Sequence, residues 1–175
     1  MTADPGVLSA LPVTNNIPGR ILLFLLLFVS LSAGEIKLCV FCEIIEGTRQ
    51  QEGIVYRDDK VIAFLTIGPH NPGHLLIVPV AHAENFLEVP ADTLHAMTDA
   101  AKKLADAIKR TDLKMDGFVL QMNTGKAAGQ SVFHAHLHVI PRYEGEAPEQ
   151  KPEPRVPMSE LAPVAAKIRA ALVQK

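Results

Sequence analysis

The rhythm of hydrophobic and polar positions changes along the chain. Residues 21–29 are nine consecutive apolar side chains, Ile21 to Val29, with Arg20 before them and Ser30-Leu31-Ser32-Ala33-Gly34 after. With its apolar flanks this core is about 13 residues long, short of the ~18 that a membrane-spanning helix needs. Two accounts fit residues 1–34: a signal-type hydrophobic core, or an extension from a mis-assigned start that stays outside the fold. From Cys39 onward the pattern is that of an α+β domain. Residues 54–57 (Ile-Val-Tyr-Arg) and 61–65 (Val-Ile-Ala-Phe-Leu) are β-branched and aromatic runs around the polar turn Asp58-Asp59-Lys60, which predicts a hairpin. Pro69 to Gly73 breaks the chain, and residues 74–78 form a third strand ended by Pro79. Between Pro90 and Asp112, Leu94, Met97, Ala101, Leu104, Ala105 and Ile108 recur at three- and four-residue spacing, which predicts one long helix with a core-facing stripe. Residues 118–122 are a fourth strand, residues 123–129 a loop, and residues 132–140 alternate as a fifth strand. Pro148, Pro152, Pro154 and Pro157 mark a mobile surface linker, and residues 159–173 an amphipathic closing helix. The expected fold is α+β: an antiparallel sheet of about five strands with one long central helix and a C-terminal helix. The expected division is an extension (1–34), a globular domain (35–143), and a linker with its helix (144–175).

Composition narrows the function. The 175 residues suffice for one domain, and 17 Lys+Arg against 19 Asp+Glu give a formal net charge of −2, so no global basic field holds a polyanion. Without Trp, and with only 5% aromatic residues, the chain lacks a stacking platform for single strands, so polymeric nucleic acid is excluded as a partner. The two cysteines, Cys39 and Cys42, are too few for a disulfide scaffold and read first as a metal or redox pair.

The informative segment is Phe133-His134-Ala135-His136-Leu137-His138-Val139-Ile140. On a strand, residues i, i+2 and i+4 share a face, so His134, His136 and His138 line up about 7 Å apart while Ala135, Leu137 and Val139 point into the core. The reading is a sheet that buries one face and displays three imidazoles on the other. Imidazole serves as nucleophile, acid, base or metal ligand near neutral pH, and the row alone does not choose among these. Two adjacent same-face histidines converge on one metal easily, a third only with strain.

His134-Ala135-His136-Leu137-His138-Val139-Ile140 resembles, at every position, the signature of the histidine triad (HIT) family, His-φ-His-φ-His-φ-φ with φ apolar. The resemblance runs from Cys39 to Tyr143. It takes in the Cys39-Val40-Phe41-Cys42 opening typical of a bacterial Hint-like branch, Ala63-Phe64-Leu65, the Asn71-Pro72-Gly73-His74 turn, and Asn123 through Gly129-Gln130-Ser131. It implies a HIT-like sheet and transfer or hydrolysis of nucleoside monophosphates joined through the α-phosphate to an amine, a phosphate or another leaving group. His136 matches the family nucleophile; His138 matches a contact to phosphate oxygens, and His134 a support of the row. Asn123, Gly129, Gln130 and Ser131 match positions that supply phosphate donors, Ser131 facing the leaving group. Thr66 and Ile67 match the nucleoside end, but Thr66 stands where many relatives have an Asp that accepts from both ribose hydroxyls. That departure predicts weaker discrimination between ribo- and 2'-deoxynucleotides. His74 matches a further histidine near the active centre; His70 and His95 have no assigned role.

The same resemblance implies a structural zinc on Cys39, Cys42, His82 and His134, with no catalytic cofactor; a disulfide in an exported chain, or two inert thiols, are the competing accounts. The leading function is a hydrolase of nucleoside 5'-phosphoramidates or related adenylates, acting on a purine mononucleotide-type small molecule. A dinucleoside polyphosphate hydrolase and a non-catalytic nucleotide- or zinc-binding protein are the alternatives. A homodimer is implied by resemblance. The expected compartment is the cytoplasm, or export or membrane anchoring if residues 20–34 act as a signal.

Overall fold

The computed structural model describes residues 39–113, 115–146 and 154–173. The expected extension over residues 1–34 lies outside the described residues, as do Pro148 and Pro152.

The first element, α1 (Val40–Glu46), sits on the CxxC opening, where no helix was expected. Phe41, Ile44 and Ile45 bury one helical stripe, and Gly47, at φ 76°, ends the helix in the left-handed conformation that a side chain resists. Strands β1 (Ile54–Arg57) and β2 (Val61–Leu65) form the expected hairpin. Asp58 fixes its turn by accepting from the Lys60 and Val61 amides, both at 2.8 Å. Strand β3 (Leu75–Pro79), helix α2 (Ala91–Lys109), strand β4 (Gly117–Gln121), strand β5 (Leu137–Arg142) and helix α3 (Met158–Val173) complete the order. The single five-stranded sheet runs β1-β2-β3-β5-β4, every neighbour antiparallel.

Both faces of the central strands are covered, so β2 and β3 are buried at every position. Val61, Ala63, Leu65, Leu75, Ile77, Leu137 and Val139 pack on α2 and α3. Ile62, Phe64, Leu76 and Val78 pack on α1. The α2 stripe is the predicted one: Met97, Ala101, Leu104, Ala105 and Ile108 are buried and Leu94 half-buried. On α3, Leu161, Ala165, Ile168 and Ala171 face the same core. Pro163, the sixth residue of that helix, has no N–H for the Ser159 carbonyl and so interrupts the ladder at one bond. Among the described residues, no helix is long and apolar enough to cross a membrane.

The fifth strand is corrected at both ends. It begins at Leu137 rather than 132 and continues through Pro141 and Arg142. The pairing Leu75↔Val139, Leu76↔His138, Ile77↔Leu137 would bring Ala135 opposite Pro79, which has no N–H to give. The Ala135 amide instead bonds the Ala83 carbonyl at 2.7 Å, and the chain before Leu137 is irregular.

Candidate functional site

Only His138 of the three triad histidines therefore lies within the strand, and His134 and His136 precede it. The expectation of imidazoles displayed on an open face is corrected too. His134 and His136 are buried and His138 half-buried, because α1 covers that face. The Phe41 ring meets His136 and His134 edge-on, at centroid distances of 5.2 and 6.0 Å.

Hydrogen bonds fix which nitrogen of each ring carries its proton. The Nδ1–H of His136 donates to the His134 carbonyl at 2.7 Å, which leaves Nε2 with its lone pair. Among the described residues none hydrogen-bonds this Nε2 and no buried side-chain nitrogen or oxygen lacks a partner, so Nε2 opens to the adjoining cleft. His138 is set by a longer chain. The His70 amide donates to His74 Nδ1 at 3.1 Å, so His74 carries its proton on Nε2 and donates to His138 Nδ1 at 3.0 Å. His138 is then left with an Nε2–H. The Asn71-Pro72-Gly73-His74 turn delivers His74: its amide bonds the Asn71 carbonyl at 3.1 Å, and Gly73 has the positive φ (87°) that this turn demands after proline.

Burial keeps these rings neutral. Desolvation, then the nearby His138 and His70 charges, lowers His74 to about 3. Desolvation, then His136 and His70, lowers His138 to about 4. For His136 burial pulls down and the bond to the His134 carbonyl pulls up; burial is the larger, and the net shift is downward. At pH 7 the site presents an unprotonated Nε2 on His136 beside an N–H donor on His138.

The cleft measures about 540 Å³. His136, His138, Ser131, Thr66 and Ile67 line it, as do Arg49, Gln51, Arg155 and Met158, for which no role was expected. Asn123, Gly129 and Gln130 do not line it. Gln130 is 3% exposed and holds the loop together: Oε1 accepts from the Gly125 amide at 2.7 Å, and Nε2 donates to the Glu84 and Val132 carbonyls at 2.6 and 3.1 Å. Gly129 has φ 84°, and a Cβ there would lie 3.4 Å from Asn123 Nδ2. Asn123 Oδ1 accepts from Gln121 Nε2 at 2.8 Å. These residues shape the loop that ends at Ser131. Thr66 Oγ1 accepts from the Gly68 amide at 3.2 Å. His95 is exposed on α2, away from the cleft.

On the far side of the row, Cys39 Sγ, Cys42 Sγ, His82 Nδ1 and His134 Nδ1 all lie within 4.8 Å of one another. Cys39 and Cys42 stand 3.4 and 3.6 Å from His134 Nδ1, and Cys42 stands 3.3 Å from His82 Nδ1. These are the separations of ligand atoms around one tetrahedral ion at about 2.0–2.3 Å from each. His134 Nε2–H donates to the Pro79 carbonyl at 2.9 Å, turning Nδ1 toward the sulfurs as ligating histidines do. The two cysteines are not bridged to each other. Burial, then the hydrogen bond and charge of Cys39, push Cys42 up to about 11. The donor set fits a metal ion, and its Cys2His2 chemistry is that of a structural zinc centre.

The family profile for the HIT domain matches residues 48–145. An uncharacterized HIT-like protein of Saccharolobus solfataricus is 46% identical over 106 residues, 61% of this chain and 75% of that one. The adenylylsulfatase HINT3 of Arabidopsis thaliana is 39% identical over 106 residues, 61% of this chain and 53% of that protein. Among solved structures, a zinc-bound histidine triad family protein from Mycobacterium smegmatis superposes with TM-score 0.70 at 34% identity, covering 78% of this chain and 94% of that one.

Proposed function

The chain belongs to the HIT family, and from that premise we propose that it is a nucleotidyl-transferring hydrolase of nucleoside 5'-phosphoramidates or related adenylates. One observation carries the reading: His136 donates its Nδ1 proton to a backbone carbonyl and opens a neutral Nε2 lone pair into a cleft of nucleotide size. The similarity to an adenylylsulfatase supports an adenylyl group as the part transferred.

In the first step His136 Nε2 attacks the α-phosphorus, the P–N bond to the leaving amine breaks, and the amine takes a proton relayed from solvent through the Ser131 hydroxyl. The resulting nucleotidyl-imidazolium keeps its Nδ1–H on the His134 carbonyl, which stabilises the positive charge. His138 Nε2–H donates to a non-bridging phosphate oxygen. In the second step water attacks phosphorus, loses its proton to solvent and frees His136. Zinc would be held by Cys39, Cys42, His82 and His134, where its chemistry is to bind the two sulfurs as thiolates and so brace the row. His134 then joins the two sites: its ring serves the cluster and its carbonyl orients His136.

We further propose a homodimer through β4, an edge strand whose Phe118, Val119 and Leu120 are all exposed, and a cytoplasmic location, where free thiols persist.

His136→Ala tests the chemistry. Its kcat on adenosine 5'-phosphoramidate is expected to fall by about 10³-fold or more while AMP binding and thermal unfolding stay close to wild type. Substantial residual turnover would remove His136 as nucleophile. Full wild-type inactivity on phosphoramidates, with cleavage of diadenosine polyphosphates, would shift the substrate class to the dinucleotide alternative. Inactivity on both, with nucleotide still bound, would favour the non-catalytic binder.

A further inference from the structure

The cleft extends well beyond the reacting histidines. Phe64 on β2, Leu76 on β3 and His138 on β5 are register partners across the sheet. At about 4.8 Å per strand, the end of β2 stands about 10 Å from His138. There the chain continues as Thr66, Ile67 and Gly68 along the cleft wall. The Val156 amide donates to the Ile67 carbonyl at 2.8 Å, which holds residues 154–157 against that loop and makes Arg155 and Met158 part of the same wall. The described end of the proline-rich linker, residues 154–157, therefore runs along the site.

The charges along the cleft are uneven. Among the described residues no carboxylate lines it, and the permanent cations that do are Arg49 and Arg155. Arg49 Nε is held by the Glu43 carboxylate at 2.6 Å. Arg155 has no hydrogen bond or ion pair with any described residue. On the same cleft wall, Thr66 Oγ1 has taken the Gly68 amide as its donor, so its hydroxyl proton is available to give. An unmodified ribose, with two hydroxyls to donate, finds no forked acceptor among the described residues of this wall. A phosphate finds a guanidinium and a hydroxyl donor. Dinucleotide-binding folds make the same trade, a carboxylate for a free ribose hydroxyl and an arginine for a ribose phosphate.

We propose that the cleft selects nucleotides carrying a second phosphate on the ribose, and that Arg155 is the specificity-determining residue, contacting that phosphate while the α-phosphate lies at His136. The inference rests on the hydrolase reading above and names its substrate class more narrowly.

The full chain is assayed with adenosine 5'-phosphoramidate and with its 2'- and 3'-phosphorylated counterparts, and binding of AMP is compared with that of adenosine 2',5'- and 3',5'-bisphosphate. One of the two ribose phosphates is expected to raise kcat/KM by about tenfold or more, chiefly through KM, and to tighten binding similarly. In Arg155→Gln that ratio falls to near 1, and in Thr66→Asp it falls below 1. A wild type that handles the plain nucleotide as well as or better than both ribose phosphates overturns the proposal. An Arg155→Gln loss equal for all three substrates also overturns it, because the contact would then be to a part they share. Absence of turnover with all three substrates removes the hydrolase reading alone; the bisphosphate binding ratio and its dependence on Arg155 still decide the specificity.

Discussion

His136 is useful because of what its other nitrogen does. A neutral imidazole has one lone pair, and the 2.7 Å bond from Nδ1 to the His134 carbonyl places it on Nε2. His138 depends on a relay that starts at the His70 amide and passes through His74, which is 2% exposed. In the proposed reaction His74 is thus a positioning residue: it touches no reacting atom and sets His138 to present a donor at Nε2. Leucine at position 74 leaves His138 Nδ1 without its donor and frees the ring to present a lone pair instead. We expect His74→Leu to lower kcat by about 10- to 100-fold with KM little changed, and His74→Gln, which can accept from His70 and donate to His138, to recover most of the loss. Steady-state kinetics on a phosphoramidate check this; equal kcat in the two variants would remove the relay.

At the scale of elements, the sequence was most readable where a period was long or a breaker strong. The α2 stripe, the first hairpin and the stop at Pro79 were all foreseeable from spacing and turn chemistry. Helix α1 was not, since seven residues hold too few turns for a period to stand out, although Gly47 three residues past Ile44 was a stop signal on the page. Alternation over residues 132–140 was real but overstated the strand, because alternation reports which side chains are buried and not whether the neighbouring strand has an N–H to offer. The triad and the metal-ligand set were legible as residue types; their relative placement depends on α1, which brings Cys39 and Cys42 against His134. A metal there ties three segments together: α1, the chain after β3 at His82, and the start of the triad. Removing it with a strong chelator, or by Cys42→Ser, is therefore expected to lower the midpoint of thermal unfolding by about 10 °C or more, with one zinc per chain lost from the purified protein, while kcat of the remaining folded protein at 25 °C falls less than tenfold. Unchanged stability in the metal-free protein would rule out a bracing role, and complete loss of kcat with the fold intact would make the ion catalytic.

Across the whole molecule, the two edges of the sheet are treated differently. At the β1 edge, α3 packs on the strand and Arg169 donates to the Ile54 carbonyl, while a register irregularity between Ile54 and Tyr56 disturbs the ladder. The β4 edge has none of this protection. Its outer side has no strand neighbour among the described residues, and Phe118, Val119 and Leu120 are 46%, 42% and 46% exposed in succession. An unprotected edge with three adjacent large apolar side chains is what natural sheets avoid unless another chain covers it. Antiparallel pairing of β4 with its copy would continue the five strands into ten and bury that run on both sides, a self-complementary contact of two-fold symmetry. Leu120→Lys puts a charge into this contact at a side chain on the α2 side of the sheet that does not line the cleft, so it separates assembly from chemistry. Sedimentation of the wild type is expected at twice the 19.0 kDa chain mass, and Leu120→Lys at the chain mass itself with unfolding still cooperative. A wild type that sediments as a monomer at micromolar concentration, or a variant that remains dimeric, would mean that the β4 edge is covered in some other way or left open.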